Sequence, residues 1–450
     1  TTGNITRKLL SVSLPMIFDF ILQALVSIVD IAIMGRLSSE AIAAVGFSRP
    51  IVWLMFSIFG GYNQAVNALV SRYFGAKSFP KAEDAAFHSL LFTTYVGIFV
   101  GALTIILLPH FLNLFAVDDN VRKLMSEYLT VVAACMVMVL YTFILTGILQ
   151  GMGHTKIQLY VTAFMNISNV ILSCFLILGD ELTGFIPISG LGFGVKGAAW
   201  SLVISRTMGT VIMLIMLRST RFPIRLKFQS LIPKWDIIKK MNIVGLPLGM
   251  MGVAGSTMFI AVNAIAAKSS IGTYAISALA IGQQTESFAF MPVVGLMSGV
   301  AVMVGQNLGA GEIDRAEKSV RLGAWISFVY LSFWGIMYMF YPESLVRVFS
   351  SDLNVVIPST IYIFVFAVPV VTYSTLPFNA ALRAAGDTTI PMVINIIAMY
   401  AIRIPIAWYL TLHTSLDYEG IWWAMAIGMI FENALIFLRY KQGIWKRIKL

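Results

Sequence analysis

Apolar runs alternate with short polar stretches along the whole chain, and twelve of them reach the roughly 20 residues that a helix needs to cross a bilayer. The pattern predicts spans at 10–34, 48–73, 84–107, 124–149, 156–179, 196–217, 243–267, 274–307, 317–340, 354–381, 390–411 and 420–439. The first six and the last six repeat each other in register, about 233 residues apart, far longer than a solenoid period. Leu14-Pro15 opens the first run as Leu246-Pro247 opens the seventh. Phe74-Gly75-Ala76 followed by Ala82-Glu83 returns as Leu308-Gly309-Ala310 followed by Ala316-Glu317. Phe115, Asp118, Asn120 and Val121 return as Phe349, Asp352, Asn354 and Val355. Gln150-Gly151-Met152-Gly153-His154-Thr155 returns as Arg383-Ala384-Ala385-Gly386-Asp387-Thr388. The expected fold is an all-α polytopic membrane protein of twelve transmembrane helices in two six-helix lobes. An even number of spans per lobe gives both the same orientation, so the pseudo-twofold axis should run along the membrane normal.

Composition agrees with the pattern. Of 450 residues 58% are hydrophobic and 12% charged, a balance foreign to soluble domains. The formal charge of +10 could suggest nucleic acid. Its placement argues against that, because Lys and Arg concentrate on the side of the membrane that would hold both termini, which the positive-inside rule assigns to the cytoplasm. The expected organisation is a lobe over 1–217, a basic cytoplasmic linker over 218–242, a second lobe over 243–439 and a basic tail over 440–450. The linker carries Arg218, Arg221, Arg225, Lys227, Lys234, Lys239 and Lys240, a composition suited to anionic membrane lipids. Arg7 and Lys8 before an apolar run imitate a signal peptide, but the run is long, contains Asp19 and Asp30 and matches span seven, so a retained helix is expected. Cys135 and Cys174 lie inside apolar spans and point to neither a disulfide nor a metal site.

Ionisable and amide side chains inside the spans carry the candidate chemistry, because polar groups at membrane depth are costly. Asp19, Gln23 and Asp30 fall within about 40° of one another on a helical wheel and so share a face of span one. The two carboxylates are about 16 Å apart along a helix, too far for a direct dyad. Asn166, Asn169 and Ser173 form a second polar stripe in span five. A carboxylate beside neutral amides is pulled both ways, since desolvation penalises its charge while hydrogen bonds favour it. Such a group suits proton or cation coupling, with interhelical adhesion as the alternative role for the asparagines. In the second lobe the register places Met251 opposite Asp19 and Val262 opposite Asp30, which would confine this chemistry to the first. The second lobe instead has Gln283, Glu286 and Ser287 ahead of Pro292. Glu286 could meet substrate, pair with Arg403 or Arg206, or be solvated. Glu432 could pair with either arginine or snorkel to the cytoplasmic surface, and His88 is expected to be interfacial. Pro15 is a candidate hinge.

No Walker loop, His-Glu-x-x-His or nucleophile elbow occurs in a fitting context, so the expected protein is not an enzyme and needs no cofactor beyond a coupling ion. Met34-Gly-Arg-Leu-Ser-Ser-Glu-Ala-Ile-Ala-Ala-Val-Gly46, the paired Gly-Ala…Ala-Glu loops and Gly147-Ile-Leu-Gln-Gly-Met-Gly153 carry a resemblance, over Leu10 to Arg439, to the prokaryotic MATE family of multidrug and toxic compound extrusion transporters. The resemblance implies a V-shaped pair of lobes in a bacterial or archaeal cytoplasmic membrane, working as a monomer. It implies export of organic, often cationic and amphipathic drugs and toxins in exchange for H⁺ or Na⁺ by alternating access. Asp30 matches the coupling carboxylate of prokaryotic members and Asn169 their fifth-helix asparagine. Ser173 stands where some members have Asp, and Thr146 where some have Asn. The sodium-coupled branch carries carboxylates in spans seven and ten, which contain no Asp or Glu here, so the sequence leans towards H⁺. The alternative function is a lipid-linked oligosaccharide flippase of the same broader superfamily, for which only Arg206 and Arg403 could supply the expected cationic cleft.

Overall fold

The computed structural model describes residues 3–34, 39–112, 118–178, 190–219, 222–226 and 231–448. The described residues are helical with short connections. In the first half the helices are α1 (Ile5–Met34), α2 (Ser39–Gly75), α3 (Phe79–Leu112), α4 (Asp119–Ala134), α5 (Met136–Gly151), α6 (Thr155–Ile177) and α7 (Gly194–Arg218). The second half contains α8 (Trp235–Ala266), α9 (Thr273–Gly309), α10 (Ile313–Phe340), the short α11 (Pro342–Arg347), α12 (Leu353–Val365), α13 (Pro369–Thr372), α14 (Leu376–Ala385), α15 (Thr389–Ile396), α16 (Ile404–His413) and α17 (Glu419–Lys441). Each of the twelve predicted spans falls on one of these helices or on a consecutive set of them. Among the described residues nine helices are long and apolar enough to cross a membrane, and two bent pairs raise this to eleven; α1 fills the place of the first predicted span.

The repeated motifs have local physical roles. Asp118 and Asp352 are N-caps, their carboxylates accepting from the backbone N–H of Asn120 and Asn354 at 3.2 and 3.0 Å. The Gly-containing turns are helix C-caps. The N–H of His154 reaches back to the carbonyl of Leu149, and that of Asp387 to Leu382, both at 2.9 Å. The left-handed residue that permits each closure is Gly153 at φ 80° and Gly386 at φ 90°. The α2–α3 and α9–α10 turns close in the same manner through Ser78 to Tyr73 at 2.9 Å and Glu312 to Asn307 at 2.8 Å. Here the left-handed position is Gly311 in the second half but Lys77, at φ 57°, in the first.

Two predicted spans are broken rather than straight. The pair α4 and α5 bends by 56° at Cys135, and α12 bends by 47° from the segment Pro369–Ala385. Pro369 accompanies the second bend, whereas no proline lies between 119 and 151. What both bends share is a glycine on the preceding long helix. A Cβ on Gly101 of α3 would lie 2.5 Å from the carbonyl oxygen of Ala133, and one on Gly335 of α10 would lie 2.7 Å from that of Ala367.

The chain forms two compact units, Thr1–Ile17 with Leu246–Leu450, and Phe18–Gly245. The division cuts α1 two residues after Pro15 and α8 two residues before Pro247. In the first of these units Gly295 and Gly299 of α9 give room to Ile17 and Ser13 at the start of α1. In the other, the ring of Tyr62 on α2 fills the space beside Gly245 of α8, and its hydroxyl donates to Asn242 at 2.6 Å. The described part of the basic linker is tied to α3 of the same unit. Arg225 N–H donates to Glu83 at 2.9 Å, Lys234 Nζ to Asp84 at 2.6 Å, and Tyr95 to the carbonyl of Leu231 at 2.9 Å. At the other end of the chain Trp445 is fully buried, stacks on Tyr440 with ring centroids 5.3 Å apart, and is followed by Lys446, which pairs with Glu317 at 3.0 Å.

Candidate functional site

The polar stripe of α6 is longer than the sequence suggested. Gln158, Thr162, Asn166, Asn169 and Ser173 are all buried, and their spacings of three and four residues hold them to one face. Gln158 and Thr162 were missed, although the same periodicity read backwards from Asn166 reaches both. Gln158 Nε2 donates to Asp19 Oδ2 at 3.1 Å, so the buried carboxylate of α1 is held by the N-terminal end of this stripe. At the far end the hydroxyls of Ser173 and Ser201 of α7 meet at 2.8 Å. Gly209 of α7 makes the close approach of α7 to α6 possible, because the space a Cβ would take is occupied by Met165.

Between the ends of the stripe lies a cavity of about 140 Å³ lined by Gln23, Val26, Met165, Asn166, Asn169, Leu202, Ser205 and Arg206. Asn166 and Asn169 thus line the same cavity as Gln23, which is itself exposed. Asp30 belongs to α1, and its side chain lies outside the described residues. A second group of amides lines the packing of α2 on α5. Asn63 Nδ2 donates to Thr146 Oγ1 at 3.0 Å and to the carbonyl of Phe143 at 2.6 Å, and Asn67 Nδ2 donates to Gln150 at 3.1 Å.

In the other unit Glu286 of α9 is buried, and both of its carboxylate oxygens accept from phenols: Tyr362 at 2.9 Å and Tyr373 at 2.5 Å. Gly282, one turn earlier, leaves the space that the Tyr362 ring occupies. Gln283, on the same helix, is half-buried. Of the alternatives the sequence left open, Arg403 does not take Glu286. It donates to Glu432 at 2.8 Å, whose other oxygen accepts from Asn395 at 2.8 Å. Glu432 is thus paired inside the helix bundle rather than reaching for the surface, and Gly428 clears space for the arginine stem. The arginine ends a π-helical turn, Ile397–Arg403, just before Pro405, whose missing N–H disfavours a regular α-helical ladder there. His88 is corrected in the same sense. It is fully buried, and its Nδ1 accepts from the backbone N–H of Lys234 at 3.4 Å, so it fastens the linker instead of facing an interface. Among the described residues no group of three or more His, Cys, Asp or Glu is placed to hold a metal ion.

Two repeats of long apolar helices, each unit with carboxylates and amides buried among those helices, define a polytopic membrane protein of the duplicated transporter class. The MatE family profile matches residues 15–175 and 247–409, one stretch in each repeat, and the chain belongs to that family. It is similar to the probable multidrug resistance protein NorM of Thermotoga maritima, with 27% identity over 99% of this chain and 94% of that protein. It is also similar to the probable multidrug resistance protein YoeA of Bacillus subtilis, 25% identical over 99% of this chain and 95% of the relative. Among solved structures, the outward-facing conformation of a multidrug resistance MATE family transporter of the MOP superfamily superimposes with a TM-score of 0.89 at 19% identity, over 100% of this chain and 98% of the other. At that identity the likeness establishes the fold.

Proposed function

We propose that the protein is a secondary active antiporter that exports organic, often cationic and amphipathic compounds in exchange for H⁺, with Na⁺ as the alternative ion. The reading rests on family membership and on one structural observation: the polar stripe of α6 faces α1 within Phe18–Gly245, where Asp19 is buried against Gln158. The positions opposite the two carboxylates in the other repeat, Met251 and Val262, offer no ionisable group. In this account Asp30 takes up a proton from outside, the first repeat rearranges about Pro15, bound compound leaves, and release of the proton inward resets the cycle. Asn169, Asn166 and Ser173 supply hydrogen bonds to whichever form of the carboxylate is present. One proton moving down a potential of 100 mV supplies about 2.3 kcal/mol, enough for a gradient of several tens-fold.

The protein acts as a monomer in a bacterial or archaeal cytoplasmic membrane with both termini inside. The test is dye transport by the purified protein in proteoliposomes under an imposed pH gradient or an imposed Na⁺ gradient. Uphill transport driven by the pH gradient alone is expected. Uphill transport with Na⁺ alone would transfer the coupling to sodium, and transport down its own gradient only would remove the antiport.

A further inference from the structure

The two repeats differ by one residue at the point where the second gains a fixed charge. Thr155 and Thr388, which follow the matching Gly turns, are 233 residues apart, whereas Leu176 and Leu410 are 234 apart. Packing matches the second pair: a Cβ on Gly197 of α7 would meet Leu176 and Ile177 of α6, and one on Gly420 of α17 would meet Leu410 and Thr411 of α16. Between these landmarks α6 is continuous, while its counterpart contains the π-helical turn Ile397–Arg403. A π turn encloses one residue more than an α turn, so it takes up the extra residue and leaves the contacts at either end alike. Counted back from the leucines, Arg403 stands at the position of Asn169. Counted on from the glycines, Gly428 stands at that of Ser205 and Glu432 at that of Gly209. In the first repeat Asn169 and Ser205 line open space. In the second the arginine stem fills the space beside Gly428, and its guanidinium donates to Glu432 at 2.8 Å.

Both oxygens of Glu432 are occupied, by Arg403 and by Asn395 Nδ2, and the side chains of Arg403 and Glu432 are only 12% and 17% exposed. Glu286, Arg383 and Tyr373 also act on the pair electrostatically. An arginine keeps its charge at every accessible pH and, unlike H⁺ or Na⁺, is held covalently. We propose that Arg403 is a tethered cation that sets the ion count of the transporter: it fills the ion place of the second repeat permanently, so that only the first repeat exchanges an ion. Arg403 is thus a specificity residue for coupling, acting through Glu432.

The proposal rests on the export reading, and its test separates the two. In detergent, the unfolding midpoint of Arg403→Ala should rise by several degrees with methylguanidinium chloride and stay fixed with N-methylurea, its planar neutral match, because the added cation refills the vacated place. Wild type and Arg403→Ala/Glu432→Gln should show no such difference. In proteoliposomes, the pH gradient at which net dye flux vanishes gives the number of protons moved per dye. That number should rise by one in Arg403→Ala, where Glu432 is free to take up a proton, and return to the wild-type value in Arg403→Ala/Glu432→Gln. No shift with methylguanidinium, an unchanged number in Arg403→Ala, or loss of transport in the folded double variant would each overturn the proposal. If Arg403→Ala fails to fold, the double variant decides alone, since removing both partners of a buried pair is tolerated better than removing one: the wild-type number supports the proposal and its loss overturns it. Absence of coupling in wild type would instead end the export reading, while the methylguanidinium shift still decides whether the place holds a cation.

Discussion

Lys77 and Gly311 occupy the same place in the two repeats, yet only glycine enters the left-handed region without a steric penalty. Lys77 is exposed, so replacing it removes little packing. Lys77→Gly is expected to raise stability by about 0.5–1 kcal/mol, seen as a higher midpoint of thermal unfolding in detergent. The reverse exchange, Gly311→Lys, should lower it by a similar amount. At Glu286 the opposite sign applies. Tyr373→Phe would deprive a buried carboxylate oxygen of its donor and should cost about 1–3 kcal/mol, measured in the same way. Residue chemistry was only partly legible beforehand. That Glu286 and Arg403 needed partners followed from their place in apolar runs, but which partners they take depends on Tyr362, Tyr373, Glu432 and Asn395, brought together from distant parts of the chain. The α6 stripe was read only from Asn166 to Ser173; Gln158 and Thr162 were missed although they continue the same helical spacing.

Helices announce themselves in this sequence through length and apolarity, and their ends through Asp caps and Gly turns that recur in both repeats. Their interior breaks do not. The bend at Cys135 has no proline to betray it; its counterpart is a tertiary contact, the carbonyl of Ala133 against Gly101. Gly101→Ala and Gly335→Ala should each destabilise the protein by about 1–3 kcal/mol, because the new methyl meets backbone that cannot swing aside as a side chain could. Gly46→Ala is the control, as among the described residues nothing lies within 4 Å of the added atom, and it should leave the unfolding midpoint nearly unchanged.

For the molecule as a whole, duplication gives two similar scaffolds with dissimilar polar contents. The unit Phe18–Gly245 holds Asp19, the amide stripe and Arg206, whereas the unit completed by Leu246–Leu450 satisfies its carboxylates internally, Glu286 by phenols and Glu432 by Arg403 and Asn395. A buried acid whose oxygens are already occupied has less freedom to exchange a proton than one with an oxygen unpartnered among the described residues, as Asp19 Oδ1 is. That asymmetry supports placing coupling in the first repeat, with Asp30 as its carboxylate. The most direct measurement is uphill dye transport into proteoliposomes driven by a pH gradient, comparing wild type with Asp30→Asn at equal reconstituted protein. The account predicts accumulation by wild type and none by the variant, with the variant's unfolding midpoint unchanged within a few degrees. Full uphill accumulation by Asp30→Asn would contradict it.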